Sequence, residues 1–167
     1  MRIFPTILDQ IIAKVRAEYD VNNKKPYYLY GQYRSIANEL IEKSKNVTLR
    51  GEKYPLVLLG LDADYLETVI DKYRFQVSFN LWILSETKEE WFTSDRFTNV
   101  YETELFPIYQ MVEEKIFQST HVSSLISEVQ PRIRLFPFWG SEAGQILNDP
   151  IDAIMIQFQN LVINVKC

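Results

Sequence analysis

The chain is 167 residues long, the size of one domain, with 18 basic and 22 acidic side chains and a formal charge of −4. Hydrophobic residues make up 47% and charged residues 24%. These proportions exclude a disordered tail, and the acidic balance excludes a global field that would recruit nucleic acid or an anionic membrane surface. Cys167 is the single cysteine, which rules out a scaffold stapled by its own disulfides and fits a reducing compartment.

Asp9 and Lys14 interrupt the apolar residues that follow Arg2, so no secretory signal is expected. Phe4 to Tyr19 reads as an amphipathic helix, with Ile7, Ile11, Ile12, Val15 and Tyr19 on one stripe. Pro5 falls in its first turn, where a missing N–H costs nothing. A polar connector ends at Pro26, and Tyr27-Tyr28-Leu29-Tyr30 reads as a short strand closed by Gly31. Ile36, Ala37, Leu40 and Ile41 recur at helical spacing and predict a second helix over 33–44, with Asn46 as its stop.

A basic loop from Lys43 to Lys53 leads into Leu56 to Leu61, an apolar run without alternation. It reads as a strand buried on both faces, and it is far shorter than the roughly 20 residues of a membrane span. Asp62 to Asp71 reads as an acidic connection. The clearest periodicity follows: Tyr73, Phe75, Val77, Phe79, Leu81 and Ile83 alternate with Arg74, Gln76, Ser78, Asn80 and Trp82. That is a long strand with one buried face.

Ser94-Asp95 caps a third helical stripe running from Phe97 to Ile116. Pro107 lies inside that stripe and predicts a kink, or two helices meeting at Phe106-Pro107. Thr120 to Asp149 is irregular, yet Ile133, Leu135 and Phe136 to Gly140 suggest that it holds something ordered. In the last segment the apolar phase set by Ile154, Ile156 and Phe158 reverses at Leu161, Ile163 and Val165. Either a bulge or a tight turn at Gln159-Asn160 explains the slip. The expected fold is one α+β domain over 1–167. It has a mixed, mainly antiparallel sheet of about four strands, helices on one face, and a long irregular insertion around 120–150.

Titratable groups are sparse for catalysis. His121 is the lone histidine and Asp62-Ala63-Asp64 the nearest thing to a magnesium perch, while Gly140 to Gly144 lacks the ending of a phosphate loop. The expectation is no catalytic, metal or cofactor site. An enzyme using Asp62 and Asp64 with a divalent metal on a phosphate-containing substrate is one alternative. A small nucleic-acid adaptor is another, since Lys43, Lys45, Arg50 and Lys53 are the candidate phosphate or partner contacts. The aromatic surplus, 10 Tyr, 10 Phe and 3 Trp, points to contact surfaces. Tyr28, Tyr30, Tyr33, Trp82, Trp91, Phe136, Phe138 and Trp139 are the candidate interface residues. Trp82, on the polar side of the long strand, is read either as a partner contact or as covered by a helix.

Four segments carry a family resemblance: Tyr28-Leu29-Tyr30-Gly31, Glu52-Lys53-Tyr54-Pro55-Leu56-Val57, Phe106-Pro107-Ile108-Tyr109, and Ile151-Asp152-Ala153-Ile154 leading into Ile156 to Leu161. In these segments and in its order of elements the chain resembles the tail-terminator and head–tail joining proteins of tailed bacteriophages. More narrowly, it is similar to structural proteins of phages and prophages in gut Bacteroidetes. The resemblance implies a non-catalytic virion protein assembled in the bacterial host cytoplasm as a six- or twelve-fold ring of identical subunits. It implies neighbouring neck, portal or tail proteins as partners, at most passive contact with DNA, no membrane and no cofactor.

Overall fold

The computed structural model describes residues 4–19, 24–46, 53–62, 64–137 and 149–165. Helix α1 (Phe4–Glu18) leads to strand β1 (Tyr27–Gly31), helix α2 (Tyr33–Lys45) and strand β2 (Leu56–Gly60). β1 and β2 pair in parallel, so α2 is the crossover that a parallel pair needs. Strands β3 (Leu66–Val69) and β4 (Arg74–Glu86) form an antiparallel hairpin. A long helical stretch follows, made of α3 (Thr93–Arg96), a π-helical segment (Phe97–Leu105) and α4 (Phe106–Gln118). The short helix α5 (Ile126–Val129) precedes β5 (Arg132–Phe136), and β6 (Ile151–Asn164) closes the chain.

The strands form one mixed six-stranded sheet in the order β1-β2-β4-β6-β5, with β3 paired to β4 on the side that β2 also uses. The α+β class is as expected, but the count of about four strands is corrected to six. β3 lies inside the acidic connection and β5 inside the irregular stretch. β3 escapes a periodicity reading because it buries no complete face. Its place is set by backbone pairing from Leu66 opposite Ser78 to Val69 opposite Phe75.

One face of the sheet carries Val57 and Leu59 of β2, Phe75 to Ile83 at alternate positions of β4, and Ile154, Ile156, Phe158, Leu161 and Ile163 of β6. α1, the π segment and α4 cover it. Phe4 sits 4.7 Å from Phe79, which stacks on Phe158 at 4.8 Å. The opposite face carries Leu29, Leu56, Leu58, Leu84, Ile151 and Ala153, covered by Ile36 and Leu40 of α2. Helices therefore pack on both faces, not on one. A strand as apolar as β2 has two faces to cover, and the crossover helix takes the second.

Two irregularities have clear causes. Val77 pairs with Leu161 but Phe79 with Phe158, so Gln159 and Asn160 both oppose Ser78. β6 is thus one strand with a bulge, and the bulge reverses the phase of its apolar residues. Asn160 takes the left-handed conformation at φ 59°, and its N–H donates to Ser78 Oγ at 3.0 Å. At Pro107 the wide turns of the π segment run directly into α4. The Phe106 N–H reaches back five residues to the Tyr101 carbonyl, and the proline falls in the first turn of α4, where its missing donor is tolerated.

Candidate interaction surface

Most of the expected interface aromatics are held within the chain itself. Tyr28 is half-buried between β1 and α1, and its hydroxyl donates to the Pro5 carbonyl at 3.3 Å. Burial, with the Asp9 charge second, pushes that hydroxyl far above its usual pKa. Tyr33 opens α2 and its ring lies directly over Gly60, where any Cβ would overlap it. Trp82 donates its indole N–H to the Tyr33 hydroxyl at 3.0 Å and packs on Phe136 at 5.1 Å. Burial raises the Tyr33 pKa, and the bond from Trp82 partly offsets the rise. Trp82 and Phe136 are thus half-buried members of the α2-side core. Trp91 packs beside the other core, with Lys88 Nζ 5.0 Å from its ring centre. Tyr30 is the one of these that stands out into solvent, 48% exposed. Phe138 and Trp139 lie outside the described residues.

The expected phosphate contacts are also engaged at home. Lys43 Nζ lies 3.3 Å above the Tyr27 ring. Lys45 pairs with Glu42 at 2.6 Å on the surface of α2. Lys53 is only 4% exposed; it forms an ion pair with Asp149 and donates to Ser44 Oγ at 2.8 Å. Arg50 lies outside the described residues. Asp62 accepts the Tyr33 N–H at 2.9 Å, serving an otherwise unmet donor at the start of α2. Asp64 is exposed beside it and has neither a hydrogen bond nor an ion pair among the described residues. His121 is half-buried, with Nδ1 3.3 Å from the Asn164 carbonyl oxygen. Among the described residues, no three His, Cys, Asp or Glu side chains group as a metal site requires. None of the described helices is long and apolar enough to cross a membrane.

The sequence reading missed a buried polar network at one end of the sheet. Arg96 and Asp152, whose side chains are 3% and 0% exposed, pair at 3.1 Å. Nearby Ser85 donates to Glu104, which also meets Lys24 at 3.1 Å. These bonds tie the start of the long helical stretch to the ends of β4 and β6. The pairs span separations of 56 and 80 residues, so no local motif announces them.

Three strand edges are left unpaired among the described residues, those of β1, β3 and β5, and β3 and β5 are the two that carry exposed aliphatic side chains. β3 lies beside β4 on the side away from β6, and β5 lies on the far side of β6. Among the described residues no strand pairs with the outer edge of either. Leu66 and Val69 on β3 are 62% and 79% exposed, with Ile70 and Tyr73 in the turn at 46% and 52%. Ile133 and Leu135 on β5 are 43% and 40% exposed. The β5 edge carries Arg132 and Arg134, whereas the stretch from Asp62 to Val69 carries Asp62, Asp64 and Glu67 and no cation.

No protein-family model, curated protein or solved structure matches this chain.

Proposed function

We propose that this protein is a non-catalytic structural subunit of a tailed-phage virion, closing into a ring at the head–tail connector or the tail end. The supporting observation is that two of the open edges, β3 and β5, carry exposed aliphatic side chains: two different apolar surfaces on opposite sides of one sheet. An unpaired strand edge carrying aliphatic side chains is a liability for a solitary protein, because it templates pairing with another chain. A two-fold dimer covers one patch against its own copy. Two unlike patches on opposite sides are instead suited to a head-to-tail contact, which becomes a ring when the rotation closes. The resemblance at Tyr28 to Gly31, Glu52 to Val57, Phe106 to Tyr109 and Ile151 to Leu161 supports the same reading.

In this reading the partners are copies of the chain in a six- or twelve-fold ring, with portal, neck or tail proteins above and below. The protein assembles in the host cytoplasm and resides in the virion. The acidic surface gives DNA little to hold, since retention of phosphate requires cations. Mass photometry of the purified chain and cryo-electron microscopy of purified particles test the proposal. Closed rings at the neck or tail end are expected. Absence of the protein from purified particles overturns the reading.

A further inference from the structure

We propose that neighbouring copies join edge to edge, β5 of one subunit adding to β3 of the next, so that the sheet continues around the assembly. The inference rests on the ring reading and specifies its contact.

The faces match. β3 aligns Leu66 with Ser78 and Thr68 with Gln76, and it aligns Glu67 with Val77 and Val69 with Phe75. β5 aligns Arg132 with Gln157 and Arg134 with Met155, and it aligns Ile133 with Ile156 and Leu135 with Ile154. Because Asn80 pairs with Gln157 and Leu81 with Ile156, these sets can be followed across the sheet. Arg132, Arg134, Leu66 and Thr68 share the face that carries α2. Ile133, Leu135, Glu67 and Val69 share the face that carries α1 and α4. Asp64 borders a shallow polar depression with Ser78, Asn80 and Gln157, which places it on the α2 side. A continued sheet keeps each face on its own side. The arginines of one copy then come beside Asp64 of the next, and Ile133 and Leu135 come beside Val69.

Direction and length match as well. β3, β4, β6 and β5 reverse direction at each step, so β5 runs opposite to β3. A rotation about an axis along the strands preserves direction, and the two edges therefore meet antiparallel. The edges are 5 and 4 residues long. Their charges also reject the symmetric alternatives. Two β5 edges would oppose four guanidiniums and two β3 edges would oppose carboxylates, whereas β5 against β3 brings unlike charges together. Arg132, Arg134 and Asp64 have no ion-pair partner among the described residues.

The test uses the full chain with Cys167→Ser and two charge-reversed forms. The first carries Arg132→Glu and Arg134→Glu; the second carries Asp64→Lys. The wild type is expected to assemble. Each reversed form alone opposes like charges at every joint, and its half-assembly concentration rises by at least about tenfold. An equimolar mixture presents an acidic β5 edge to a basic β3 edge, and the reverse at the next joint. Rings containing both forms in alternation reappear, and this recovery shows that both variants fold. Should the wild type assemble only on particles, incorporation into purified particles is the readout for the same samples.

Reversed forms that assemble alone as the wild type does overturn the edge contact and leave the ring reading standing. A two-fold dimer overturns the contact. So does a first variant that loses DNA retention while its ring mass is unchanged. A wild-type chain that stays monomeric and is missing from particles overturns both readings.

Discussion

Replacing Arg96 by methionine keeps a long side chain in place and removes its charge and donors. The guanidinium meets Asp152 at 3.1 Å, with the two side chains 3% and 0% exposed. It also donates to the Trp91 and Lys88 carbonyls at 2.9 and 2.6 Å. Both of those bonds are part-buried, and the largest share of the loss comes from the fully buried carboxylate left without the guanidinium. Leaving one member of a buried pair without the other typically costs about 3–5 kcal/mol. Against a total stability of about 5–15 kcal/mol for a domain, that is a large share. At roughly 2–4 °C per kcal/mol for this chain length, Tm falls by about 6–20 °C. The double variant Arg96→Met/Asp152→Leu removes both charges and should lie within about 2 kcal/mol of the wild type. Urea unfolding followed by circular dichroism measures all three free energies. A single-variant loss below about 1 kcal/mol, or a double variant less stable than Arg96→Met, refutes the burial argument.

Three further outcomes are expected. Gly60→Ala forces the Tyr33 ring off β2 and breaks its bond from Trp82, costing about 1–3 kcal/mol as overpacking typically does; in a Trp91→Phe/Trp139→Phe background the Trp82 emission shifts to the red, and unchanged emission contradicts the packing described. Asn160→Val places a β-branched residue at φ 59° and loses about 1–2 kcal/mol, whereas Asn160→Gly stays near wild type; equal stability of the two variants in urea would falsify the left-handed bulge. The Tyr19 hydroxyl is pushed up to about 12, first by burial and then by the Glu104 charge. The native state thus holds a proton that the unfolded chain releases near pH 10, so this contribution is intact below about pH 10 and is lost as pH rises towards 12. Urea midpoints should fall over that window, less steeply for Tyr19→Phe, and an identical fall in the variant counts against the assignment.

The elements that bury a face are legible in the sequence. Alternation from Phe75 to Ile83 marks β4, and the phase change after Phe158 marks the bulge in β6, because a period of two ties each residue to one side of the sheet. The unbroken run at Leu56 to Leu59 already implied cover on both faces of β2. β3 was hidden for the opposite reason: Leu66 and Val69 face solvent, so hydrogen bonding to β4 is what orders them. β5 was only hinted at by Ile133 and Leu135. The long helical stretch was visible as a stripe, but the π segment that leads into Pro107 has no signature of its own. Aromatic content did not reveal where the aromatics point. Strand alternation puts Trp82 and Phe136 on the same face, where Trp82 reaches Tyr33 of α2 and Phe136 packs on Trp82, and only the parallel pairing of β1 with β2 shows that α2 lies on that side. Arg96 and Asp152 meet through tertiary packing alone.

The uneven cover of the sheet grades its stiffness. Where β2 crosses the upper half of β4, helices clamp both sides, so amide hydrogens there exchange with solvent only when the whole domain opens. Towards the β3–β4 turn one side carries Gln76, Ser78, Asn80, Leu66 and Val162 with no helix over them, and opening there needs far less free energy. The domain therefore has a firm end and a yielding end. Small changes of twist can be absorbed at the yielding end without disturbing the core.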